Sequence, residues 1–151
     1  MKKIELKKPG KHVIELKNPG EEIEIVGIFE TNGEEKTDVE VTVHHQAPHT
    51  QAQVILKGVV RDKSQLKFKG RIIIDSDCGQ SRSSLIERIL LLSDQAHAEI
   101  VPDLEILTDD VECSHAASIS NVLDEHLFYL MSRGLNKKQA EELIINGFLE
   151  K

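Results

Sequence analysis

Tryptophan is absent from this 151-residue chain, tyrosine occurs once and phenylalanine four times. A core must therefore be assembled from Ile, Leu and Val. The two cysteines, Cys78 and Cys113, allow at most one bridge, and in a reducing compartment both are free thiols. The longest apolar runs, such as Ile72–Ile74 and Ile89–Leu92, fall far short of the roughly 20 residues that span a bilayer. The opening Met1-Lys2-Lys3 is not followed by the apolar stretch and small-residue cleavage site of a signal peptide, so the expected location is the cytoplasm. Basic residues are missing from Glu99 to Glu112, where six carboxylates would repel a phosphate backbone, and neither nucleic acid nor a membrane is expected as a partner. Phosphate loops, nucleophile elbows, zinc helices and dinucleotide turns are also absent, which argues against the common catalytic classes.

What is present is a soluble composition of one-domain size, 39% hydrophobic and 30% charged. The net charge of −7 is uneven, because residues 1–20 hold six lysines against Glu5 and Glu15, leaving an acidic body. Ile4-Glu5-Leu6-Lys7 with Pro9-Gly10 returns ten residues later as Ile14-Glu15-Leu16-Lys17 with Pro19-Gly20. Each copy is a half-buried strand closed by a turn. Similar runs follow at Ile23–Val26, Val39–Val43, Val54–Leu56, Leu66–Phe68, Ile72–Ile74 and Ile89–Leu92. Short strands at regular spacing with no amphipathic helix between them argue against a βαβ fold and leave a sandwich, a barrel or a β-solenoid.

The pattern changes after residue 120. Asp124 is placed to cap a helix striped by Leu127, Phe128, Leu130 and Met131, with Gly134 as its stop. Asn136 and Gln139 make a capping-box pair for a second helix, along which Ala140, Leu143, Ile144 and Phe148 recur. Domain-facing stripes filled by Leu127, Phe128, Leu143 and Ile144 would leave Tyr129, Arg133 and Lys137 outward, as partner-binding candidates.

Cys113-Ser114-His115 is the most informative triplet, because in an extended segment residues 113 and 115 project to one side and set sulfur beside imidazole. That pair suits iron, zinc or a transient Fe–S cluster, although two ligands do not close a site. An ordinary buried cysteine beside a capping histidine accounts for the same triplet. His44 and His45 point to opposite faces of one strand and cannot easily share an ion. Cys78 reads as a turn residue, and no catalytic or cofactor-binding residue is assigned.

The ordered set His45-Gln46-Ala47-Pro48-His49-Thr50, Lys57-Gly58-Val59, Leu90-Leu91-Leu92-Ser93, Pro102-Asp103-Leu104-Glu105-Ile106, Asp109-Asp110-Val111, Cys113-Ser114-His115 and Ser132-Arg133-Gly134-Leu135 resembles the SufB/SufD family of SUF iron-sulfur cluster assembly. The form is closer to SufD, as a short form lacking the family's N-terminal region. The resemblance implies an all-β, right-handed parallel β-helix over residues 1–120 with a C-terminal two-helix subdomain over 121–151. It implies a non-catalytic scaffold that pairs with a SufB/SufD-like subunit or with itself. It further implies docking of a SufC-like ABC ATPase on the terminal helices, and no tightly bound cofactor beyond a transient Fe–S cluster or iron at a shared interface near Cys113 and His115. The usual Gly after the motif His is Ala116, and Glu87 stands where the scaffold paralogue carries a Cys. Two other readings remain open at this stage: a β-helix carbohydrate-active enzyme, and a small metal-binding structural protein using His44, His49 and Cys113.

Overall fold

A computed structural model describes residues 1–150. The chain forms nine strands, β1 (Lys2–Leu6), β2 (Gly10–Leu16), β3 (Glu22–Thr31), β4 (Lys36–His45), β5 (Gln51–Val60), β6 (Gln65–Ile74), β7 (Ser81–Leu91), β8 (His97–Ile106) and β9 (Val111–Asn121), then two helices, α1 (Asp124–Ser132) and α2 (Lys137–Leu149). Odd strands build one parallel sheet, β1-β3-β5-β7-β9, and even strands the other, β2-β4-β6-β8. Each strand pairs with the one two places on, so the chain winds as a parallel β-solenoid of about four turns. The ten-residue echo at the start thus falls into two sheets, one copy in β1 and one in β2. Leu66–Phe68 and Ile72–Ile74 are a single strand, β6, running through Gly70.

Alternation explains the interior. In β6 every second residue, Leu66, Phe68, Gly70, Ile72 and Ile74, is buried, while the lysines and arginine between them look outward. Successive turns stack these residues into one aliphatic core with Ile25, Val54, Leu85 and Ile89. Glycine is needed where the two sheets press closest. A Cβ at Gly58 would sit 2.3 Å from Leu66 Cδ2, and one at Gly70 would sit 2.4 Å from Leu85 Cδ2. At the corners the buried hydroxyls pair across turns, Thr31 with Ser64 (2.8 Å) and Thr50 with Ser81 (3.0 Å), satisfying polar groups that the bends carry inside.

α1 begins differently from expectation. The Val122 N–H extends the β9 ladder to the Leu91 carbonyl, so Leu123 occupies the N-cap position and offers no side-chain acceptor. Asp124 is therefore the first helical residue, where its charge still opposes the positive end of the helix dipole. At the other end Gly134 takes φ +100°, its N–H reaches Met131 O, and the Leu135 N–H reaches Leu130 O, the double closure of a Schellman turn. α2 starts with the expected capping box, Asn136 Oδ1 accepting from Gln139 N (2.8 Å) and Gln139 Oε1 accepting from Asn136 N (3.0 Å).

The helical stripes differ from those drawn on the sequence. Ala140 and Ile145 are the buried residues of α2, and Ile145 joins Val59 and Leu90 on the outer face of the odd-strand sheet. Leu127 and Leu130 are half-buried, whereas Phe128, Met131 and Leu143 are exposed. The physical reason is that α1 is short, has no fully buried residue and packs mainly against α2, so only one edge of each helix finds the β domain. α2 is also pinned at its end, where the buried Lys57 Nζ donates to the Phe148 carbonyl (2.9 Å) and the Leu149 carbonyl (3.1 Å).

Candidate functional site

At the C-terminal end of the solenoid the edges of β8 and β9 are unpaired among the described residues. Leu104, Ile106, Leu107 and Ile119 are exposed there, so the last turn presents apolar side chains that earlier turns cover. Cys113 and His115 lie on β9 in this turn. Both are half-buried while Glu112, Ser114 and Ala116 are exposed, so the two project to the same, inner side as the extended reading required. Their ladder partners on β7 are Ser83 and Leu85.

His115 does not stand free. Its Nε2 lies 2.8 Å from Oε2 of Glu87, a fully buried carboxylate two positions beyond Leu85 on β7. Burial raises the Glu87 acid above its usual range, and the His115 contact partly offsets that by favouring the carboxylate. Across the interior, Gly70 makes the room: a Cβ there would lie 2.9 Å from Glu87 Oε1. Glu87 Oε1 and Ser83 Oγ have no partner among the described residues, so two unsatisfied polar atoms sit beside the Cys113–His115 pair. The Cys113 thiol is pushed up by burial, which keeps it protonated at neutral pH and weakens it as a metal ligand until a metal or a positive group displaces the proton.

The other histidines are separately engaged. His44 Nε2 is 2.9 Å from Asp75 Oδ1 on the outside, His45 is fully buried, and His49 turns a corner at φ +59°. Among the described residues no three His, Cys, Asp or Glu side chains are grouped to hold a metal ion. The alternative reading of a metal held by His44, His49 and Cys113 finds no such grouping among the described residues, because these residues occupy an outward strand position, a corner and an inward strand position. Cys78 lies in its expected turn, but the turn folds inward, and the buried thiol donates to the His45 carbonyl (3.2 Å).

On the helices, Tyr129, Arg133 and Lys137 are all exposed. One helical turn brings Arg133 over the Tyr129 ring, 5.4 Å from guanidinium carbon to ring centre, with an N–H donated to Tyr129 Oη (3.3 Å). Lys137 stands apart at the start of α2, in a recess with Asp124 and Glu141. Sequence reasoning named Glu87 only as a departure from the family and Lys57 only within a motif, and missed both as the partners that organise these regions. Glu87 had a signal, being the lone acid among the inward positions of β7, where Ser83, Leu85 and Ile89 are its companions. No helix among the described residues is long and apolar enough to cross a membrane.

A family model described as the SufBD core domain of SUF system FeS cluster assembly matches residues 10–148. An iron-sulfur cluster assembly SufBD family protein of Staphylococcus saprophyticus is 31% identical over 106 residues, covering 70% of this chain and 23% of its own length. The iron-sulfur cluster assembly protein SufB of Bacillus subtilis gives 31% identity over 106 residues, again 70% and 23%. A SufBD family protein of Mycobacterium tuberculosis is 30% identical over 127 residues, covering 84% of this chain and 15% of that protein. The chain thus spans less than a quarter of the length of the curated relatives it matches.

Proposed function

Because the chain belongs to the SufBD core family of the SUF system for FeS cluster assembly, we propose that it is a non-catalytic scaffold subunit that pairs through its β-solenoid and docks a SufC-like ABC ATPase on its terminal helices. The observation that carries this reading is where the exposed apolar surface lies. Phe128 is 76% exposed, and Leu123, Tyr129, Met131 and Leu143 stand out of the same helix pair, with Arg133 over Tyr129 and the exposed Lys137 at the start of α2. Apolar side chains gathered on a small projecting subdomain, with Arg and Tyr among them, have the composition of a binding hot spot.

The second concentration, at the open β8–β9 end, supports pairing with a SufB/SufD-like subunit or a second copy, since unpaired strand edges are templates for another chain. Iron or a nascent cluster is then cargo at the shared end. Cys113 supplies sulfur and His115 imidazole once Glu87 releases it, and the remaining ligands come from the partner, because two donors do not complete a site.

The test is co-purification of the full chain with the SufC-like ATPase of the same source. Phe128→Asp and Arg133→Glu should each abolish capture while leaving circular dichroism and the melting temperature unchanged, since both residues are exposed. Undiminished capture by both variants would move the ATPase contact elsewhere. Light scattering at tens of micromolar, a choice set by ordinary micromolar interfaces, should show a dimer alone or a complex with the paired subunit, and Ile119→Asp should disrupt it.

A further inference from the structure

The outer face of the odd-strand sheet carries a feature that neither the tail nor the solenoid end uses. Ladder register aligns outward residues of successive turns into rows, and one row, which begins at Glu5 on β1, continues as the apolar run Val26–Ile55–Ile86–Ala116. Ile28, 46% exposed, lies beside it. Val26, Ile55 and Ile86 are half-buried although no element among the described residues lies over them in full. Elsewhere on solenoid exteriors these positions are polar, as in the adjoining row Glu24–Gln53–Ser84–Ser114. Together the apolar row and its flanks form a recess of about 440 Å³, bounded at one end by Leu149 of α2.

Two facts indicate what fits. The next apolar pair on this face, Val59 and Leu90, is covered by Ile145 of α2, so a helix is what this sheet already accepts there. The charges left at the recess are also net positive: Lys3 is paired with Glu24 and Lys7 with Glu5, which leaves Lys57 and Arg88 against Glu150. The Lys57 ammonium is committed to the α2 carbonyls, whereas Arg88 forms no ion pair among the described residues.

We propose that this recess docks an amphipathic helix of a partner protein, apolar along one edge and acidic beside it. Strands repeat at about 4.8 Å, close to the ~5.4 Å pitch of an α-helix. A helix laid across the strands therefore sets one apolar side chain per turn, at i, i+4 and i+7, against successive members of the row. Four strands span about 14 Å, or roughly ten helical residues at 1.5 Å each. The acidic flank meets Arg88. The contact is separate from the ATPase surface, and the two succeed or fail independently.

Fluorescence anisotropy on the full chain tests it with a labelled, designed Ala-rich peptide of about fifteen residues, long enough for partial helicity. It carries Leu at i, i+4 and i+7 and Glu on the flank, and a control carries Lys in place of Glu. The acidic peptide should bind about tenfold more tightly than the basic one, and Arg88→Glu should reverse the preference. Ile86→Asp should abolish binding of both. Should Ile86→Asp fail to fold, the Arg88→Glu reversal alone decides, since that residue is exposed. Equal binding of the two peptides, no binding of either, or an unchanged preference in Arg88→Glu overturns the proposal. So does a chain dimer that Ile86→Asp dissociates, or binding of anionic phosphatidylglycerol vesicles through Arg88, because each assigns the recess a different occupant.

Discussion

His45 should make the fold sensitive to mild acid. Its side chain is fully buried, and Nδ1 lies 2.7 Å from Thr50 Oγ1. The Thr50 hydroxyl donates to the Ala47 carbonyl (3.1 Å), so it accepts from His45 Nδ1–H, and the neutral ring keeps its proton there. Nε2 is buried with no partner among the described residues, and a second proton on it would find no acceptor there. Burial first, and the neighbouring His44 second, lower the His45 pKa from 6.5 to about 4. The unfolded chain therefore binds a proton that the native chain refuses across this window, so stability is complete above pH 6.5 and falls as pH drops toward 4. A shift of that size corresponds to a full loss of about 3 kcal/mol, of which about 2 kcal/mol is gone by pH 5. Urea unfolding at pH 8, 6.5 and 5 of the wild type and of His45→Asn would measure it. Glu87, whose raised pKa acts in the opposite sense, is common to both proteins and cancels in the comparison. His45→Asn should be less stable at pH 8, having lost ring volume in the core, but should lose about 2 kcal/mol less on going to pH 5. An identical pH slope in the two proteins would refute the argument.

His115→Ala should strand the buried Glu87 carboxylate, costing about 2–3 kcal/mol at pH 7 and less as the pH is lowered, since burial favours the protonated acid. Most of that loss should vanish in a Glu87→Gln background, a double-mutant cycle readable by thermal melting. Gly70→Ala should lower stability by about 1–3 kcal/mol, since its methyl would meet Leu85 at 2.4 Å and Glu87 at 2.9 Å. Lys57→Met should leave the solenoid intact yet loosen the end of α2, losing about 1–2 kcal/mol with its two charged hydrogen bonds. Hydrogen exchange at Asn146–Glu150 should then rise while β5 remains protected.

Strands were legible because in a solenoid the inside/outside alternation is the fold: Ile23, Ile25 and Leu56 announce inward positions by spacing alone. The capping box at Asn136 and the stop at Gly134 were equally local, each decided within a few residues. The family was legible from an ordered run of motifs, and the match over residues 10–148 agrees with it. Other features depended on distant partners. The Lys57 ammonium meets carbonyls about ninety residues away, and nothing near Lys57 distinguishes it from a solvated lysine. Phe128 and Leu143 read as core because α1 and α2 are apolar on more than one side, and only packing decides which side turns in. Cys113 and His115 were placed together by alternation, but the carboxylate that holds His115 lies one ladder away, a neighbour that strand register alone supplies.

The parallel ladders also dictate how such a chain can change length. Lys36 stands opposite Gln65 and Gln65 opposite His97, so each coil recurs at about thirty residues. Insertion of one complete coil, for example a duplicate of residues 51–81, would lengthen the solenoid by about 4.8 Å and leave every row of side chains in register. A single residue inserted within a strand would turn that strand inside out from that point, exchanging Phe68 with Lys69 in the core. Growth in this architecture is therefore quantised, with the corners as the only places where an odd number of residues is tolerated, and the terminal helices ride along unchanged on whichever coil happens to be last.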